Sequence, residues 1–114
     1  MSTISTHILD LGAGAPARGV TVKLEIDGGA RGWVSLGERR TDDDGRVRDF
    51  LGPGAALDRG RYRLTFEVGE YFRARGATNF HPRIPVEIEV ADAAQHYHVP
   101  LLLSAHGYTT YRGT

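Results

Sequence analysis

The sequence contains no cysteine, which excludes disulfide bonds, thiolate nucleophiles and cysteine-ligated metals. It also lacks an excess of either charge, because fourteen Lys and Arg residues balance fourteen Asp and Glu residues. Proteins that bind nucleic acid usually carry a basic excess, so we expect no nucleic-acid partner. No apolar run approaches the roughly 20 residues of a membrane-spanning helix, so we expect no membrane partner.

Targeting signals are also missing from the sequence. Residues 1–7 lack the basic and apolar regions of a signal peptide, and the last residues lack a peroxisomal ending. We therefore expect a cytoplasmic protein. With 114 residues, 40% of them hydrophobic and 25% charged, the composition fits one globular domain over residues 1–114.

The chain consists of short apolar segments separated by clusters of Gly, Pro and Asp, a pattern typical of β-sandwiches and barrels. Apolar and polar residues alternate in three segments, as in strands with one buried face: residues 20–27, 61–68 and 84–90. Less regular strands are predicted over residues 2–11, 31–40, 46–50, 95–104 and 107–112. Residues 70–75 lack alternation and are predicted to form a short helix that Gly76 ends. We expect an all-β fold of two antiparallel sheets packed face to face.

Histidines are the most versatile chemical groups in a chain without cysteine, and five are present: His7, His81, His96, His98 and His106. His96 and His98 are two residues apart in a predicted strand, so they point to the same side, together with Pro100 and Leu102. The residues between them are predicted to face the core. The histidine side is therefore expected to form an open surface or groove.

Three interpretations of the histidine pair are compatible with its spacing. The simplest is two solvated side chains. The second is a zinc site, which needs a third ligand, for which His7 is a candidate. The third is an acid–base site, since histidine titrates close to neutral pH.

Two other patterns predict no chemistry. The acidic run at residues 42–45 resembles half of a calcium loop but lacks the glutamate at its twelfth position, so a polar turn is predicted. Four serines lie outside any Gly-x-Ser-x-Gly context, and nothing therefore predicts a serine hydrolase elbow. These serines are Ser2, Ser5, Ser35 and Ser104.

The last nineteen residues, HYHVPLLLSAHGYTTYRGT from His96 to Thr114, resemble the C-terminal signature of the 5-hydroxyisourate hydrolases, the transthyretin-related enzymes of purine breakdown. The segments THILD at 6–10, GAPA at 14–17 and TDDDGR at 41–46 resemble the opening and middle motifs of that family. The resemblance therefore covers nearly the whole chain. The sequence departs from the family pattern at Thr114, where serine is usual, and at residues 79–82 and 105–106.

The resemblance implies a transthyretin-like sandwich of two four-stranded antiparallel sheets with one short helix. It implies a homotetramer, a dimer of dimers, with active sites in the channel between dimers. It assigns catalysis to His7, Arg46 and His98, and substrate binding to Tyr111, Arg112, Gly113 and Thr114. The implied substrate is a small purine-derived molecule whose six-membered ring is opened by hydrolysis, with no metal or other cofactor.

In the chemistry that the resemblance implies, His98 is expected to take a proton from water, and His7 is the second candidate for this base. Arg46 is expected to stabilise the developing oxyanion. Two alternatives are a carrier of the transthyretin type and a zinc-dependent hydrolase that uses His7, His96 and His98. The choice between the two histidines as base stays open, as do the roles of His96 and His106.

Overall fold

The structure, a computed structural model, describes residues 3–52 and 55–114. Within these ranges the chain forms nine β-strands, one α-helix and one turn of 3₁₀-helix at Gly29–Arg31. In chain order the elements are β1 (Ile4–Asp10), β2 (Ala15–Pro16), β3 (Thr21–Asp27), β4 (Trp33–Arg40), β5 (Arg46–Val47), β6 (Gly60–Phe66), α1 (Val68–Ala74), β7 (Ile84–Val90), β8 (Tyr97–Leu103) and β9 (Tyr108–Thr110). In this part of the chain no helix is long and apolar enough to cross a membrane.

The strands form two sheets that enclose one apolar core. The first sheet has the order β2-β1-β8-β9, with β5 also paired to β1, and the second has the order β4-β3-β6-β7. Alternate side chains of the long strands are buried between the sheets, as the alternation predicts, and Ile8, Leu24, Leu64 and Leu101 are completely inaccessible to solvent. The predicted fold class, two sheets with one short helix, is confirmed.

The expectation of two purely antiparallel four-stranded sheets is wrong in two details. Strand β1 runs parallel to β8, with Ile4 opposite Tyr97 and Asp10 opposite Leu103. The whole second sheet separates these strands in sequence, so no hairpin fixes their relative direction. The first sheet also has a fifth strand, because the two-residue strands β2 and β5 both pair with β1.

The helix begins two residues earlier than predicted. Val68, predicted to be the last residue of a strand, is buried as the first residue of α1. A buried residue fits the end of an inward-facing strand and the start of a packed helix equally well, so alternation does not mark this boundary. The helix ends before Gly76, as predicted, and Gly76 has a φ of 70° in the left-handed region.

Strand ends also differ from the sequence prediction. Of the predicted strand at residues 46–50 only Arg46–Val47 pairs, although Phe50 stays buried. The predicted strand at residues 31–40 begins at Trp33, after the 3₁₀ turn. Ser2 and part of the predicted loop at residues 52–54 lie outside the described residues.

Candidate active site

Strands β1 and β8 bring the predicted catalytic histidines to one face. Ser5 lies opposite His98 and His7 lies opposite Pro100 in the parallel register. Paired residues of adjacent strands point to the same side of a sheet, so these four residues share the outer face of the first sheet. His7 and His98 are half-buried there, whereas Pro100 is buried, contrary to the expectation that it lies on an open surface.

Arg46 reaches this face through the short strand β5, where it lies opposite His7. The preceding acidic turn holds its backbone, because the Arg46 N–H donates to Asp42 Oδ1 at 2.9 Å. This hydrogen bond is the main reason why the pKa of the Asp42 carboxyl is lowered. Gly45 has a φ of 76°, and a Cβ there would lie 2.6 Å from the Ile8 carbonyl oxygen, so the turn needs glycine to pack against β1. The acidic run is thus the predicted polar turn, and it carries Arg46 to His7.

An open cleft of about 280 Å³ lies over the outer face of the first sheet. This volume is near the lower end of the range for small-molecule sites. The cleft is rich in cationic and titratable groups and is lined by Ser5, Thr6, Arg46, Val47, Arg48, His96, His98 and Thr114. Below, we call it the histidine cleft.

The surroundings of His98 and His7 favour the neutral forms of both imidazoles. Burial lowers the pKa of His98 below its usual value of 6.5, and the nearby positive charge of Arg46 lowers it further, followed by His96 and His7. Burial, and then Arg46, also lowers the pKa of His7, against smaller opposing effects from the acidic turn. Both imidazoles are therefore neutral at pH 7 and can accept a proton.

Ser5 lies between the two histidines of the predicted pair. Its Oγ is 2.8 Å from His98 Nδ1 and 3.0 Å from His96 Nε2. The two rings are nearly parallel, at 15°, with centroids 6.5 Å apart. Ser5 is 6% exposed, whereas His96 is largely exposed. His96 is thus an exposed side chain, whereas the half-buried His98 is also hydrogen-bonded to the buried Ser5 hydroxyl.

The end of the chain packs directly on His98. The Gly113 N–H donates to the His98 carbonyl oxygen at 2.8 Å. A Cβ on Gly113 would lie 2.6 Å from His98 Cδ2 and 3.1 Å from Pro100 Cγ, so only glycine fits here without a shift of the ring. This contact covers Pro100 and brings Thr114 to the wall of the histidine cleft.

Tyr111 and Arg112 turn away from Thr114. Both line an adjoining groove between β7 and β8. The Arg112 guanidinium lies 4.4 Å from the centre of the Tyr97 ring and donates to Gln95 Oε1 at 2.7 Å. Of the residues that the resemblance assigns to substrate binding, Tyr111 and Arg112 thus line one concavity and Thr114 lines the other, and His98 lines both.

The sequence of this chain matches a known protein family. The model of the HIUase/Transthyretin family matches residues 4–113. The chain belongs to this family. It is 47% identical over 111 residues to the 5-hydroxyisourate hydrolase of Salmonella typhimurium, covering 97% of this chain and 80% of the relative. The suspected resemblance is confirmed.

Solved structures of the HIUase/Transthyretin family share the fold. The structure of Klebsiella pneumoniae 5-hydroxyisourate hydrolase has a TM-score of 0.86 at 39% identity, covering 99% of this chain and 100% of the other. Sea bream transthyretin, solved in complex with thyroxine, has a TM-score of 0.90 at 28% identity, covering 98% of this chain and 95% of the other. Because a hydrolase and a transthyretin share this fold, the fold alone does not decide the function.

The zinc alternative lacks support in the geometry. Over residues 3–52 and 55–114, no three His, Asp or Glu side chains form a group that could hold a metal ion. Zinc would require three donors to converge within about 2.1 Å of one point. The Ser5 hydroxyl occupies the position between His96 and His98 instead.

Sequence reasoning gives no role in the histidine cleft to four residues that line it: Ser5, Thr6, Val47 and Arg48. Ser5 was considered only as the nucleophile of an esterase motif, and Arg48 was not considered. Each lies two positions from a predicted catalytic residue, Ser5 before His7 and Arg48 after Arg46. Strand alternation predicts only that each shares the side of that neighbour, whereas the contact of Ser5 with His96 and His98 depends on the register of β1 against β8.

Proposed function

We propose that this chain is a 5-hydroxyisourate hydrolase, which opens the six-membered ring of 5-hydroxyisourate to give 2-oxo-4-hydroxy-4-carboxy-5-ureidoimidazoline in urate breakdown. The observation that carries the proposal is one cleft that combines a neutral imidazole, His98, with the guanidinium of Arg46. Relatives named 5-hydroxyisourate hydrolase in bacteria and mouse support it, at 47% and 37% identity.

In this proposal His98 is the general base. It takes a proton from water while the water oxygen bonds to the electrophilic ring carbonyl carbon. The ring C–N bond then breaks, and the His98 imidazolium gives its proton to the departing nitrogen, so that His98 ends neutral again. General acid–base catalysis of this kind accelerates reactions by about 10²–10⁴-fold.

Arg46 supplies the charge that this reaction needs. Its guanidinium, a planar fork of N–H donors, stabilises the oxyanion that forms when water adds to the carbonyl. His7 lies opposite Arg46 in the β1–β5 pair and serves as the second histidine of the site. In this proposal Gly113 and Thr114 form the wall of the cleft beside His98 that contacts the substrate. Tyr111 and Arg112 form a wall of the adjoining groove.

A carrier of the transthyretin type fits the cleft less well. A site for a hydrophobic ligand is lined mainly by apolar and aromatic side chains. The histidine cleft instead presents two arginines, two histidines, a serine and a threonine hydroxyl at its C-terminal wall. These groups favour a small polar heterocycle. The proposed reaction needs no metal or organic cofactor.

The proposal includes a homotetramer, a dimer of dimers. Among residues 3–52 and 55–114, β7 and β9 each pair on one side only, so both sheets end in an open strand edge. Large apolar side chains are exposed near these edges, among them Phe80 at 71% and Tyr111 at 55%. An open edge beside exposed apolar groups favours pairing with a second copy. Light scattering should give the mass of four chains, and the mass of one chain would contradict this assembly.

A spectrophotometric assay tests the activity. Urate oxidase generates 5-hydroxyisourate from urate, the purified protein is added with and without a chelator, and the decay of substrate absorbance is followed. We expect acceleration over the spontaneous decay that the chelator does not change. Acceleration lost with the chelator would keep the substrate but contradict the metal-free mechanism, and no acceleration by folded protein would contradict the hydrolase.

A further inference from the structure

The Ser5 hydroxyl has two ring nitrogens to bond and only one proton to donate. Its neighbours are His98 Nδ1 at 2.8 Å and His96 Nε2 at 3.0 Å. A neutral imidazole carries one N–H donor and one acceptor nitrogen. When both rings are neutral and both hydrogen bonds form, at least one ring must therefore donate to Ser5, because a hydroxyl can accept from two donors but can donate only once.

This constraint couples the two imidazoles. If Ser5 donates to His96, then His98 must donate from Nδ1, and the lone pair of His98 lies on Nε2. If Ser5 donates to His98, the proton of His98 lies on Nε2 and that nitrogen cannot act as a base. If both rings donate to Ser5, the proton of His98 again lies on Nδ1, but the Ser5 proton must then find another acceptor, and solvent offers little because Ser5 is 6% exposed.

We propose that Ser5 and His96 are positioning residues that set the tautomer of His98, with Ser5 donating to His96 and His98 donating from Nδ1 to Ser5. This inference rests on the proposed function, in which His98 is the base. It gives His96 a role that does not require contact with the substrate. In the reaction His98 receives the proton at Nε2 and returns it there, while its Nδ1–H stays bonded to Ser5.

The surroundings of His98 bear on the same choice. The charged and titratable groups around it are His96 on its own strand, His7 on β1 and Arg46 on β5, while Arg48 and Thr114 line the same cleft. Burial lowers the pKa of His98 most, and Arg46, followed by His96 and His7, lowers it further. The neutral ring, in which the tautomer matters, is therefore the form present at pH 7.

Nitrogen-15 NMR of the full-length protein tests the assignment without any activity. Above its pKa, His98 is expected to carry its proton on Nδ1, and His96 on the nitrogen remote from Ser5. In Ser5→Ala the Nδ1–H preference of His98 should be lost. A His98 proton on Nε2 in the unsubstituted protein would overturn the inference.

Kinetics provide a second test that a purely structural role would not pass. In His96→Phe the acceptor is gone, so Ser5 is left to donate to His98 and favours the inactive tautomer. We expect kcat to fall by about 10- to 100-fold, with little change in KM. Adding Ser5→Ala to His96→Phe removes that wrong hydrogen bond and should restore part of kcat. A double variant as slow as His96→Phe, or slower, would overturn the inference.

Two further variants serve as controls. Ser35→Ala removes an exposed strand hydroxyl from the second sheet and should leave kcat unchanged. Ser5→Thr keeps the hydroxyl and should retain more activity than Ser5→Ala, provided that thermal unfolding shows both to be folded. Equal loss in Ser5→Thr and Ser5→Ala, with both folded, would count against a role for the hydroxyl.

The two proposals fail in different ways. If the unsubstituted protein does not accelerate the decay of 5-hydroxyisourate, the proposed function fails, while the NMR measurement still decides the tautomer. If the protein is active but His98 carries its proton on Nε2, only the positioning role of Ser5 and His96 fails.

Discussion

The outer faces of the two sheets are both rich in charge but arrange it in opposite ways. On the second sheet, Arg63 Nη2 lies 2.7 Å from Glu25 Oε1, and the buried Glu67 carboxylate lies within 4 Å of both Lys23 and Arg83. On the first sheet, Arg46 is grouped with imidazoles and its charge lowers the pKa of two of them, although Arg48 in the same cleft lies within 4 Å of Asp42 and Asp44.

This difference separates a stabilising surface from a reactive one. The charge of an arginine beside a carboxylate is compensated by that partner, so neither group is free to interact with a ligand. An arginine beside histidines keeps them neutral and leaves its own charge available to an anion. The two faces follow the same strand alternation, and only the side chains chosen for the outward positions differ.

The largest expected effect is at His98. We expect His98→Asn to lower kcat/KM by about 10²–10⁴-fold, because asparagine cannot take a proton from water. His7→Asn should lower kcat/KM by a smaller factor, because the proposal makes His98 the base and His7 the second histidine of the site. Steady-state rates of both variants decide the assignment of the base. Full activity of His98→Asn together with an inactive His7→Asn would reverse it.

Arg46→Gln should have the next largest effect. Loss of one oxyanion donor typically costs about 10²–10³-fold in kcat. The substitution should also raise the pKa of His98 and of His7, because Arg46 lowers both. NMR titration of the histidine resonances measures these shifts. Unchanged histidine titration in folded Arg46→Gln would contradict the electrostatic account of the first sheet.

Leu101→Ala tests whether the inner and outer sides of β8 have separate roles in stability and activity. Leu101 is completely buried on the inner side of the strand that carries His98 on its outer side. Its truncation should lower the free energy of unfolding by about 2–5 kcal/mol, through lost burial and a cavity. Urea denaturation measures this loss. The kcat of the remaining folded protein should be retained, and a loss of kcat without a loss of stability would contradict the division between the two sides.

The smallest expected effect is at the ion pair of the second sheet. Glu25→Gln should change the free energy of unfolding by no more than about 1 kcal/mol, because the pair is partly exposed. Activity should be unchanged, which the substrate-decay assay can check. A large loss of activity in this variant would break the comparison between the two faces.

Much of this fold follows from local sequence. Alternation over residues 20–27 and 84–90 gives strands that the structure reproduces to within one residue, since burial of one face dictates a period of two. The direction of β1 against β8 does not follow, because it depends on how the chain returns through the second sheet. No local sequence pattern indicates that path.

The candidate site divides in the same way. That His96 and His98 point to the same side could be predicted from their spacing. The catalytic role of Arg46, directly after the acidic turn, was predicted from the family resemblance. The hydroxyl of Ser5 between the two histidines could not be predicted, because it depends on the register between β1 and β8. The separation of Tyr111 from Thr114 also depends on tertiary packing, at Gly113 on the His98 ring.

The central claim is that a neutral His98 beside Arg46 acts as the base, and the pH dependence of kcat/KM for the unsubstituted protein tests it most directly. Because the neutral imidazole is the active form and its pKa is lowered, activity should persist at pH 6.5 and fall only as the pH drops further. We predict a midpoint of this acidic limb below 6.5. A midpoint at or above that value, or activity that rises with acidity, would contradict the account.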